Sequence, residues 1–230
     1  MFNRSTLKLL SLLWVLLAAS CQAMQATTET PTITLTPTPI ASEKRIEYEL
    51  DGMSLSVEVP AGWEWKTTDK GLVMAEHFAP MEVGSALMGV QAYVFFHSLD
   101  GFDLPTNTDA NAAYAVLEQI VASPSYIGEA AVSAVEGFTW ADHDAAYYLA
   151  NNGNGNLSML LALVVTQPPR LVVCNISSPE GKAASIRDVL PRLLGTLQID
   201  DQPLQAAALE DLPTSFTFPE YKPGAKAVRP

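Results

Sequence analysis

Basic side chains are scarce in this chain: 13 Lys and Arg stand against 25 Asp and Glu, a net charge of −12. Such a surface repels phosphate backbones, so nucleic-acid binding is not expected. Cysteine is scarcer still, with two residues, Cys21 and Cys174. They form no C-x-x-C pair, and Cys174 lies in the apolar run LVVCNI, where a thiol behaves as a small buried hydrophobe. Histidine numbers three, and neither an H-E-x-x-H helix nor a G-x-S-x-G elbow occurs. No cofactor is expected, and the chain is not expected to be an enzyme. A long hydrophobic run is also missing at the N-terminus, where the apolar stretch extends only from Leu9 to Ala19. As a helix it would rise about 16 Å, short of the ~30 Å hydrocarbon core of a bilayer.

What is present there is ordered. Arg4 and Lys8 precede the apolar stretch, and Ala18-Ala19-Ser20 lead to Cys21. A charged start, a short apolar middle and small residues at the end make residues 1–20 a secretory signal peptide. The ending resembles the lipobox of bacterial lipoproteins. That resemblance implies a diacylglycerol on the Cys21 thiol, cleavage before it and acylation of the new amine. Two or three acyl chains anchor stably where a single chain holds only marginally. The expected location is therefore outside the cytoplasm, lipid-anchored to a bacterial membrane. An ordinary cleaved signal peptide with a cysteine nearby is the plainer alternative. Cleavage removes Arg4 and Lys8 and no acid, so 13 − 2 = 11 basic residues face 25 acidic ones and the net charge becomes −14.

Residues 21–42 read as a flexible tether, with seven threonines and three prolines between Thr27 and Pro39. Such a composition buries no core and favours extended, solvated backbone. At ~3.1 Å per residue it would span about 65 Å.

The globular part is expected over residues 43–200. IEYEL (46–50) and LSVEV (55–59) alternate apolar and polar around Asp51-Gly52, which suits a tight hairpin because both residues tolerate positive φ. Further strands are expected at 71–76, 87–96 and 132–139. AAYYLA (145–150) and LSMLLALVVT (157–166) flank the turn NNGNGN, and LVVCNI (171–176) follows. The last two strands lack polar alternation, which predicts central positions covered on both faces. A helix is predicted over DANAAYAVLEQIVAS (109–123), with Thr108 or Asp109 as cap, and another over 178–195. In the second, Ser178 would cap, Pro179 would take the first turn, and Pro191 predicts a kink or a split. The expected class is α+β, an antiparallel β-sheet sandwiched between α-helices. Residues 201–230 form a proline-rich tail, either packed along its own domain, left free, or serving as a docking peptide.

VPAGWEW after a hairpin, GFTWADHDAAYYLA, the two apolar strands, SSPE and the closing amphipathic helix together resemble the PsbP-like family over roughly residues 43–200. The family includes photosystem extrinsic proteins, a Ran-binding nuclear factor and many bacterial lipoproteins. The resemblance implies α/β/α layers and a binding or assembly role more than catalysis.

Two sets of residues are candidate sites. Asp142, His143 and Asp144 form the densest ionisable cluster, and carboxylates beside an imidazole ligate divalent ions. Neighbours on a strand point to opposite faces, so only Asp142 and Asp144 can converge, with His77, His97 or Glu76 as further ligands. An exposed strand end is the plainer reading. Trp63, Trp65 and Trp140 suit a groove for a peptide or glycan, or else belong to the core. The expected function is a non-enzymatic module binding or assembling another envelope protein. The alternative is a ligand- or metal-binding lipoprotein using a groove near Trp63, Trp140 and His143.

Overall fold

The structure, a computed structural model, describes residues 44–78, 87–104, 111–140, 143–166, 169–204 and 211–223. Residues 1–42, over which a signal peptide and a tether are expected, lie outside the described residues together with Cys21 and Asp142. The first hairpin joins β1 (Arg45–Leu50) to β2 (Met53–Glu58), and its turn places Asp51 and Gly52 at φ of 52° and 79°. β3 (Glu64–Thr67), β4 (Gly71–Ala75) and β5 (Gln91–His97) follow, then α1 (Ala112–Val121) and the one-turn α2 (Pro124–Ile127). β6 (Ala131–Val132), β7 (Glu136–Trp140), β8 (His143–Asn151), β9 (Asn156–Thr166) and β10 (Pro169–Pro179) come next. A 3-10 turn (Glu180–Lys182), α3 (Ala184–Gly195), β11 (Gln198–Ile199) and β12 (Gln202–Pro203) complete the described elements.

The strands form two antiparallel sheets. The larger has the order β3-β4-β5-β10-β9-β8-β6, with β7 also on β8; the smaller has the order β1-β2-β11-β12. Apolar β9 and β10 do occupy the middle of the larger sheet. One face of that sheet carries α1, whose Ala113, Val116, Leu117 and Ile120 pack on Ala146, Tyr148, Leu160 and Ala162. The other face meets a larger core. There Met53, Leu55 and Val57 of β2 join Ile186, Leu190, Leu193 and Leu194 of α3 against Met74, Val94, Met159 and Ile176.

The expected class needs correction. The described residues form 12 strands in two sheets and only three α-helices, one of them four residues long. The fold is β-rich, and the sheet is not sandwiched between helices. The first hairpin is responsible: its alternating pattern predicted strands, but nothing local told whether they extend the main sheet or build a second one across the core. β2 pairs on its other side with β11, which in turn pairs with β12, and these strands of two residues each are too short to show a period.

Local details also differ. Asn111, not Thr108 or Asp109, caps α1, accepting a hydrogen bond from the Tyr114 N–H at 2.8 Å. Ser178 and Pro179 belong to β10, and the chain passes through the 3-10 turn before α3 begins. The helix then runs through exposed Pro191 without dividing.

His97 closes one end of the α1 face. Its ring lies edge-on to Phe102 at 5.9 Å, and Nδ1 bonds the Ser98 carbonyl at 2.5 Å. Burial lowers its pKa, against the opposing pull of the Ser98 carbonyl, and nearby Lys70 adds to the lowering. The unfolded imidazole titrates at about 6.5. As pH falls through that value the unfolded chain takes a proton that the folded one refuses, so stability drops and levels off below the folded pKa. Thermal unfolding followed between pH 7.5 and 5 should show this loss. The His97→Gln variant should lack that part of it.

Candidate functional site

The sequence candidates are placed apart. Trp140 is 0% exposed, wholly inside the larger core, so it lines no groove. Trp63 is half-buried against the same core. His143 pairs with Trp140 across β7 and β8, and Asp144 points to the opposite face, toward α1. There the Asp144 Oδ2 accepts the Ala112 N–H at 3.1 Å, while Asn111 Nδ2 donates to the Ala145 carbonyl at 2.8 Å. The first contact satisfies an N–H at the start of α1, where a carboxylate is the favoured group, and the second ties the cap residue to β8. Asp144→Ala should therefore cost about 1 kcal/mol of stability, measured by denaturant unfolding. Among the described residues no three His, Cys, Asp or Glu side chains gather to hold a metal ion.

The other proposed ligands are also engaged or distant. Glu76 Oε2 accepts the Val90 N–H and the Lys182 ammonium, each at 3.1 Å. Burial works to raise its pKa, but these donors outweigh it and hold the carboxyl low. His77 is exposed and His97 belongs to the α1 face. Cys174 is buried at the centre of β10, and desolvation pushes its thiol up to about 12. Almost no thiolate exists there near neutral pH, so it is not a nucleophile.

One tryptophan remains at the surface, and it sits on an edge strand. All four residues of β3 are exposed, and Trp65 retains 38% of its surface. The Lys44 ammonium lies 4.5 Å from the Trp65 ring centroid, and Lys66 lies 4.7 Å from that of Phe78. Glu64 Oε2 accepts the Phe78 N–H at 3.2 Å. Charged residues thus flank the one large aromatic on this edge, as edge strands commonly require.

The ladder decides which backbone groups are free. Thr68 N–H donates to the Gly71 carbonyl at 2.8 Å, and β3 pairs with β4 in the register Thr67↔Leu72, Trp65↔Met74. Bonded and non-bonded pairs alternate in an antiparallel ladder. Lys66 and Glu64 therefore bond toward β4, and the N–H and C=O of Trp65 and Thr67 turn outward. The bond from Glu76 N–H to the Val90 carbonyl, 2.9 Å, fixes the same alternation between β4 and β5. Among the described residues, no strand pairs with the outer side of β3.

The sequence reading singled out Trp65 but not the strand around it, nor Lys44 and Thr67. Four residues are too few for a period. The two-residue turn Asp69-Lys70 after EWKT was the available signal.

No protein-family model matches the chain, and no curated protein matches it. Solved structures do resemble it. The Ran-binding protein Mog1p of Saccharomyces cerevisiae is 14% identical, with a TM-score of 0.41 over 70% of this chain and 97% of its own. A mutant of Mog1 gives 14% identity and a TM-score of 0.40 over 69% and 97%. The cyanobacterial PsbP of Synechocystis is 12% identical, with a TM-score of 0.39 over 72% of this chain and 98% of its own.

Proposed function

We propose that this protein is a non-enzymatic binding module, held outside a bacterial membrane by lipid on Cys21, that takes an extended segment of another envelope protein on the outer side of β3. The observation that carries the reading is that edge. Trp65 and Thr67 offer two sets of outward backbone groups, and Trp65 adds an exposed aromatic surface between charged neighbours. Strand addition of this kind draws affinity from main-chain hydrogen bonds and specificity from alternate side chains. The lipobox-like ending at Cys21 and the Thr/Pro-rich stretch after it support the anchored part of the reading.

The test separates anchor from edge. In intact cells, cross-linking and affinity capture should recover one envelope protein with the natural chain and lose it with Cys21→Ala. Thr67→Pro removes one outward N–H that the β3–β4 ladder does not use, so it should fold normally yet lose the partner. Trp65→Ala should weaken recovery several-fold at a temperature where circular dichroism shows the variant still folded, since truncating the partly buried indole also costs about 1–2 kcal/mol of stability. Undiminished recovery with both edge variants would remove β3 from the reading. Recovery unaffected by Cys21→Ala would remove the anchor.

A further inference from the structure

The charges on β3 are complementary to themselves. Trp65 stands between Glu64 and Lys66, all three exposed, in the order acid, aromatic, base. The register with β4 sets Trp65 on the face of Met74, and Glu64 and Lys66 on the opposite face with Ala75 and Val73. Among the described residues neither Glu64 nor Lys66 forms a salt bridge; Glu64 accepts the Phe78 N–H, and Lys66 lies over the Phe78 ring. Both charges are therefore open to a neighbour beyond the edge.

The ladder phase limits the registers in which a second β3 can lie antiparallel against the first. The outward groups belong to Trp65 and Thr67, so odd-numbered residues must oppose odd-numbered ones. A pair centred on Glu64 sets carboxylate against carboxylate, and one centred on Lys66 sets ammonium against ammonium. Centred on Thr67, Lys66 meets Thr68. Only the pair centred on Trp65 opposes Glu64 to Lys66 of the second copy, and symmetry repeats that contact. The two indoles then lie side by side on the other face, where each Trp65 N–H donates to the other Trp65 carbonyl. Opposite charges and aromatic pairs directly across a ladder stabilise it, and like charges destabilise it. Edge charges generally deter pairing, and here they deter every register but one. β1, at the edge of the smaller sheet, has the contrary arrangement. Its two exposed residues are Glu47 and Glu49, so any register that opposes them sets like charges together.

We propose that β3 pairs antiparallel with β3 of a second copy of this chain, Trp65 opposite Trp65, in a two-fold dimer. This rests on the reading of β3 as a strand-accepting edge and adds what holds that edge before a partner segment does. Pairing occupies the same edge in both copies, so association closes at two. A four-residue strand buries far less than the ~1,600 Å² of a standard stable complex, so the dimer is weak and a longer partner segment displaces it.

The experiment follows the purified full chain by analytical ultracentrifugation up to about 1 mM. The expected result is a reversible dimer that weakens as salt rises. Glu64→Lys and Lys66→Glu each set like charges together at both contacts, and each should weaken self-association roughly 10-fold or more. Mixed with one another, these two variants regain opposite charges at both contacts and should form a mixed dimer of about natural affinity. That rescue separates a charge contact from local damage to β3. Thr67→Pro, which removes an outward N–H, should also weaken the dimer. A natural chain that stays monomeric, a dimer indifferent to these variants, or a mixture that fails to pair would each overturn the proposal. A monomeric chain that still captures its envelope partner through Trp65 and Thr67 would end self-pairing alone and leave the edge-strand reading standing. The expected dimer, with partner capture indifferent to Trp65 and Thr67, would do the reverse.

Discussion

Trp140→Ala is expected to lower the unfolding free energy by about 3–5 kcal/mol, the range for truncating a fully buried large aromatic. The indole is the largest of the side chains with essentially no exposure, and its neighbours belong to the larger core between the two sheets. Removing it leaves a void that those neighbours fill only in part, because they sit on strands held by β7–β8 and β8–β9 ladders. In a domain of this size each kcal/mol shifts the midpoint by roughly 2–4 °C, so thermal unfolding should move down by about 10 °C. Trp140→Phe should cost clearly less, since most of the volume remains. Partner capture by the Trp140→Phe chain should equal that of the natural chain. An unchanged midpoint with Trp140→Ala would place the indole at the surface and return it to a ligand groove.

The fate of Trp140 shows where sequence reading works and where it stops. The hairpin at Asp51-Gly52, the NNGNGN turn, the central placement of β9 and β10 and the helix around Val116 and Leu117 were legible. Each rests on a local rule: positive φ, period two, unbroken apolarity or period 3.6. Trp63, Trp65 and Trp140 look alike by such rules, yet one is core, one half-buried and one exposed. Their separation is decided by which sheet crosses above them, which is a matter of tertiary pairing. Asp144 is similar. Its carboxylate suggested a ligand in the sequence, but the strand register brings it to the first turn of a helix more than thirty residues earlier, where it caps. The β3 edge was illegible for a third reason, because which backbone groups point outward depends on the ladder phase and not on residue type.

Gly71→Ala is expected to have the next largest effect, about 3 kcal/mol, although it adds a single methyl group. Gly71 begins β4 opposite Phe95 of β5, and its φ is not in the left-handed region, so conformational freedom is not the reason for glycine. Space is. A Cβ there would fall 2.2 Å from the Val94 carbonyl oxygen and 2.6 Å from the Phe95 Cβ. Both obstacles are fixed by the β5 backbone, since a Cβ moves only with its own Cα. The strands must therefore part locally, which places the cost at the upper end of the 1–3 kcal/mol usual for overpacking. Parting them also disturbs the Thr68–Gly71 turn that sets the phase of β3. The variant should thus lose partner binding at β3 more steeply than its stability predicts, and hydrogen exchange at Lys66 and Thr68 should quicken beyond the global change. Phe95→Gly combined with Gly71→Ala, read against Phe95→Gly alone, tests the assignment, because it removes the Phe95 Cβ and leaves the Val94 carbonyl in place. If the double variant recovers more than half of the penalty assigned to Gly71, the side chain rather than the Val94 carbonyl is what excludes a methyl there. If Gly71→Ala alone unfolds like the natural chain, the close approach of β4 to β5 is wrong, and with it the ladder phase on which the β3 reading depends.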